Sequence, residues 1–101
     1  MPIAITADLL HAADQIEQLT SLERSILLRR AAALIQGYYI RLGSAEALAG
    51  PCGITFDLTA MASGIDLFGI AAISEMMREA VVVIGMLQEQ DDVFSAPVGH
   101  G

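Results

Sequence analysis

The sequence predicts an all-α fold, a small helical bundle of three main helices with one or two short ones, assembled as a dimer. Three observations lead there. Apolar residues recur at helical spacing through most of the chain. Capping residues and glycines break that periodicity at helix-sized intervals. The longest apolar stretch, from Ile65 to Leu87, is apolar on more than one side, which 101 residues cannot easily wrap from every direction.

The first helix is expected from Ala7 to Leu19, with Thr6 as N-cap and Asp8 in the first turn, where the helix dipole favours an acid. Leu9, Ala12, Ala13, Ile16 and Leu19 share one face; Asp8, His11, Asp14 and Glu17 lie on the polar side. Thr20 and Glu23 have capping-box spacing and open a second helix, from about Ser21 to Leu42, that stops at Gly43. Its apolar arc, running from Leu27 through Ala31 and Ile35 to Tyr38 and Leu42, is wide enough for two neighbouring helices. Gly37 sits inside it at a cost of about 1 kcal/mol relative to Ala, which a close helix crossing would offset.

Ser44 can cap a single turn over 45–49, and Gly50-Pro51-Cys52-Gly53 is a strong breaker. Residues 54–63 are ambiguous: Ile54-Thr55-Phe56 can be extended, and Asp57 to Ala62 can form a short helix capped by Thr55 or Asp57. Ser63 and Asp66 repeat the capping-box spacing, which places the start of the last helix at Gly64 or Ile65 and its end near Gln90. Ile70, Ile73, Met77, Ala80, Val81, Ile84 and Leu87 form its wide apolar stripe. One domain over 1–92 and a flexible tail over 93–101, with Pro97, Gly99 and Gly101, complete the organisation. No internal repeat is evident.

Composition narrows the function classes. Hydrophobic residues make up 54% of the chain and mean hydropathy is +0.58, values that favour an oligomer interface or a membrane contact. Glu75, Arg78 and Glu79 interrupt the only stretch long enough to span a bilayer, so no membrane span is expected. A net charge of −7, with five arginines as its only Lys or Arg residues, disfavours nucleic acid and favours basic partners. The start of the sequence lacks a secretory pattern, and one cysteine forms no internal disulfide, so a cytoplasmic setting is expected.

No chemical constellation assembles. Asp8, His11, Asp14 and Glu17 at intervals of three drift around the helix and read as a solvated face, not as metal ligands. Glu75 and Glu79 lack the Glu-x-x-His motifs of a di-metal bundle. Cys52 has only His11 and His100 as possible bases. No catalytic, cofactor-binding or metal site is expected, and no cofactor. The favoured reading is therefore a non-enzymatic interaction or regulatory protein of adaptor, antiactivator or inhibitor type, binding itself and another protein through an apolar helix face. Phe68, Val82 and Met86 fall among Glu75 and Glu79 on the charged side of the last helix, and these five residues are the expected partner-binding set. Two alternatives remain open. One is a helix-turn-helix-like DNA-binding regulator over 45–62, weakened by Pro51, Thr59 and the absence of basic residues there. The other is a small-molecule or enzymatic bundle with a cavity near Tyr38, Arg41 and Met77.

Overall fold

The computed structural model describes residues 4–42 and 53–95. They fold into four α-helices, α1 (Ala4–Asp14), α2 (Ser21–Leu42), α3 (Ile54–Ser63) and α4 (Ile70–Ser95), with 3-10 turns at Ile16–Gln18 and Ile65–Leu67. The described residues are all-α. The expected turn over 45–49, the stop at Gly43, Cys52 and residues 96–101 lie outside them.

The second helix begins where its sequence says. The Thr20 hydroxyl accepts from the Glu23 N–H at 3.1 Å, and the Glu23 carboxylate accepts from the Thr20 N–H at 3.0 Å. Both orphan donors at the helix start are thereby satisfied. Residues 54–63 are helical and not extended, with Gly53 as the N-cap. Three other boundaries differ from expectation. α1 starts before Thr6 and ends at Asp14, and Ile16–Gln18 tightens into a 3-10 turn. Ser63 closes α3 instead of capping the last helix, so the last helix starts at Ile70, after a 3-10 turn. The last helix also runs through Ser95, five residues past Gln90. Asp91, near its C-terminal end, is held by a two-pronged contact from Arg41 at 3.0 and 3.2 Å, which offsets the unfavourable dipole.

The absence of a repeat in the sequence reading is overturned by the structure. The described residues form two copies of one helix–3-10–helix unit, with Ile65 lying 49 positions after Ile16. The spacing matches every 3-10 turn residue and the first residue of each long helix. Backbone bonds repeat with it. Gln15 N–H donates to His11 O at 2.9 Å and Gly64 N–H to Ala60 O at 3.1 Å; Gln18 N–H donates to Gln15 O at 2.9 Å and Leu67 N–H to Gly64 O at 2.8 Å. Gln15 adopts φ −112° and Gly64 φ −116°, so the turn needs no glycine.

The two units exchange their first helices. α1 packs on α4, α3 packs on α2, and the two long helices pack on each other, with few contacts between α1 and α2 or between α3 and α4. This is an approximate two-fold arrangement inside one chain. The core repeats accordingly: Leu9 and Leu58, Leu28 and Met77, Ala31 and Ala80, Ile35 and Ile84 are each fully buried, pair by pair. The apolar arc of α2 does serve two neighbours, α3 and α4. Ile70, placed by its spacing in the last helix's buried stripe, is instead 37% exposed at the helix start.

A duplicated polar clamp ties the units together. The Ser25 hydroxyl donates to Ala62 O at 3.0 Å, and the Ser74 hydroxyl donates to Ala13 O at 2.9 Å. Each serine accepts in turn from the arginine one helical turn later, Ser25 from Arg29 at 3.4 Å and Ser74 from Arg78 at 3.0 Å. Each arginine then reaches the last residue of the exchanged helix, Arg29 to Ser63 and Arg78 to Asp14. The carbonyls that a helix leaves unpaired at its C-terminus are thus met by the opposite unit.

Candidate functional site

The exchange leaves one face of each long helix without a neighbour among the described residues. On α4 that face carries Glu75, Glu79, Val82 and Met86, which fall within an arc of about 60° at 100° per residue. Val82 is 62% and Met86 54% exposed, and both glutamates are exposed. The face extends about 16 Å along the helix from Glu75 to Met86. Neither glutamate enters an ion pair among the described residues.

Phe68 does not belong to this face. It lies in extended backbone between the second 3-10 turn and α4, with φ −110° and ψ 141°. It sits at the N-terminal end of the bundle edge near Leu67 and Ile70, a full three turns of helix from Val82. The structure therefore assembles four of the five expected residues and separates the fifth, because the helix starts at Ile70. α3 does not cover this face either, since it packs mainly on α2.

The equivalent face of α2 escaped the sequence reading. Leu22 is 69%, Ile26 46% and Ile40 60% exposed, and Ala33 is exposed between them. Among the described residues a Cβ added at Gly37 would meet nothing within 4 Å, so the close helix crossing that would offset its cost is not made by any described helix. Ala33 also borders an open groove of about 370 Å³ between α2 and α3, lined by Arg29, Gln36, Thr55 and Thr59. The Thr55 hydroxyl in that lining is buried without a hydrogen-bond partner. A periodicity search for buried faces overlooks this stripe because its apolar members are interleaved with Arg29, Arg30 and Arg41.

Those arginines make the inter-helix contacts their positions suggest. Arg30 approaches Asp8 of α1 at 3.9 Å, and Arg41 pairs with Asp91 of α4 while its guanidinium lies 4.7 Å from the Tyr38 ring centre. All are half exposed and add about 0–1 kcal/mol each. Arg24, by contrast, folds back to donate to Ile16 O at 2.7 Å, closing the first 3-10 turn. In the second unit Ile73 occupies that position and is fully buried.

Tyr38 and Met77 are packed into the core, so the interior near Arg41 is filled by side chains. Among the described residues no three His, Cys, Asp or Glu side chains converge as metal ligands. Asp8 and Asp14 instead face Arg30 and Arg78. No described helix is long and apolar enough to cross a membrane. The stretch 54–62 forms a ten-residue helix together with Ser63 and carries Asp57 but no basic residue. The Glu23 carboxylate is held below its usual range, by the Thr20 N–H and then the Thr20 hydroxyl, and this serves the cap.

The class defined by these features is a four-helix, two-unit bundle with two exposed amphipathic helix faces. Comparison with known proteins finds no matching family, no matching curated protein and no matching solved structure.

Proposed function

We propose that the protein is a non-enzymatic interaction module that docks a protein partner on the outer face of α4 and self-associates through its long helices. The observation that carries this reading is the exposure of Val82 and Met86 beside Glu75 and Glu79 on one continuous face. Apolar side chains at the centre of a face, with acids at its rim, suit a site that desolvates its middle and steers a basic or mixed partner by charge. The arrangement fits an adaptor, antiactivator or inhibitor, proteins whose work is occupancy of a surface. An acidic chain with its positive charge mostly tied into inter-helix contacts suits protein partners better than phosphate backbones.

The test is Val82→Glu. Light scattering should show the wild-type chain above monomer mass at micromolar concentration and the variant at monomer mass, with the far-ultraviolet helical spectrum retained. In affinity capture from the native host, a partner of this face should be depleted by the same substitution. Unchanged mass and unchanged partners in a folded Val82→Glu chain would remove α4 as the docking face.

A further inference from the structure

Resting on the reading of α4 as a docking face, we infer that the surface it fits is the outer face of α2 on a second copy of this chain. The two faces occupy matching positions in the internal repeat, yet their residues are opposite in kind. Where α4 projects Val82 and Met86, α2 has Ala33 and Gly37 at the matching positions. Bulk on one helix thus meets a hollow on the other. The space above Gly37 is open, and the groove beside Ala33 deepens the hollow toward α3. Ile26 and Ile40 bracket the hollow and supply apolar walls for an inserted knob.

Charge is divided in the same way. The α4 face is edged by Glu75, Glu79 and Glu89 with Arg78 as its one basic residue, and the α2 face by Arg29, Arg30 and Arg41 with Glu23 as its one acidic residue. Two copies of the α4 face would set glutamates against glutamates and knob against knob. Two copies of the α2 face would set arginines together around an unfilled hollow. Only α2 against α4 satisfies size and sign together. The match holds whether the helices run parallel or antiparallel: Arg30 comes near Glu79 in the first case and near Glu89 in the second, with the Ala33–Gly37 hollow over Val82 and Met86 in both. Such a contact joins two different patches and is heterologous. It also accounts for Gly37, which no described residue of the same chain approaches.

The decisive variant is Gly37→Leu. Its side chain enters open space in the isolated chain and raises helix propensity, so the fold is retained with an equal or higher melting temperature. With the hollow filled, self-association measured by sedimentation equilibrium should weaken at least tenfold. Charge gives a second measurement. Arg30→Glu alone and the pair Glu79→Arg with Glu89→Arg alone should each weaken association, and mixing the two variants one to one should restore a complex. Association should also weaken as salt rises. If Val82→Glu disperses the assembly while Gly37→Leu and Arg30→Glu leave it intact, α4 remains a docking face and α2 is not its complement. If the wild-type chain sediments as a monomer up to about 100 μM, well above the micromolar constants of weak specific complexes, the inference is overturned.

Discussion

Replacing Ser74 by Ala tests whether the exchanged helices are held by the duplicated clamp. Ser74 is 7% exposed, and its hydroxyl both donates to Ala13 O and accepts from Arg78. The substitution leaves a helix-terminal carbonyl without that donor in a place where water has little access. An unmet buried acceptor costs about 1–3 kcal/mol. Alanine recovers about 0.5 kcal/mol of helix propensity. The net loss is therefore about 0.5–2.5 kcal/mol, at about 4–8 °C of melting temperature per kcal/mol for a domain of this size. Ser25 makes the matching bonds to Ala62 O and Arg29 but is only half-buried, so water can replace its hydroxyl. Ser25→Ala should cost about 0.5 kcal/mol or less. Urea titration followed by circular dichroism measures both, and an unchanged m-value confirms that the unfolding transition is the same. The internal control lies in the symmetry: a serine donating to a matching helix-end carbonyl and accepting from a matching arginine, at different burial. If Ser25→Ala destabilises as much as Ser74→Ala, burial does not set the cost and the reasoning is refuted. No loss from Ser74→Ala would show that the clamp does not hold α1 on α4.

Thr20→Ala removes the capping box at α2 and should cost about 1 kcal/mol in thermal unfolding. Glu23 has a folded pKa below its unfolded value, so its contribution is present above the ordinary glutamate range and fades as pH falls through the lowered value. In Thr20→Ala the Glu23 titration followed by nuclear magnetic resonance should move back up toward that range. Ile84→Ala and its equivalent Ile35→Ala each empty a fully buried site and should each cost about 2–5 kcal/mol in chemical denaturation. Ala80→Leu should destabilise by about 1–3 kcal/mol through overpacking. Arg41→Ala loses only a half-exposed pair with Asp91 and should shift stability by about 0–1 kcal/mol.

The buried stripes of α1, α2 and α4 were legible because each is one periodic face, readable from 3.6-residue spacing alone. The Thr20–Glu23 cap was legible for the same reason: its chemistry is local. The same spacing at Ser63 and Asp66 misled, because the residues that decide between a cap and a helix end include distant ones. Ser63 closes α3, where Arg29 of the other unit reaches its hydroxyl. The candidate face was half legible. Val82 and Met86 stood out as apolar residues among charges, whereas Phe68 was assigned to the face only because the helix start was placed five residues early. The α2 face carried the same signal through Leu22, Ile26 and Ile40, masked by the arginines between them.

By itself the sequence determined local and one-sided properties: helical class, the start of α2, most of the core and the acidic balance. It also held the repeat, in Thr6 and Thr55, Asp8 and Asp57, Leu9 and Leu58, Ser25 and Ser74, Arg29 and Arg78 at one constant spacing. Those identities are scattered over positions with different neighbours, so spacing within a helix does not expose them. Only the tertiary structure decided that α1 crosses to α4 and α3 to α2. A helix stripe states that a face must be buried, but not against which partner, and alanine, leucine and isoleucine stripes fit one another without regard to chain order. That choice of partner fixes which helix faces remain exposed among the described residues.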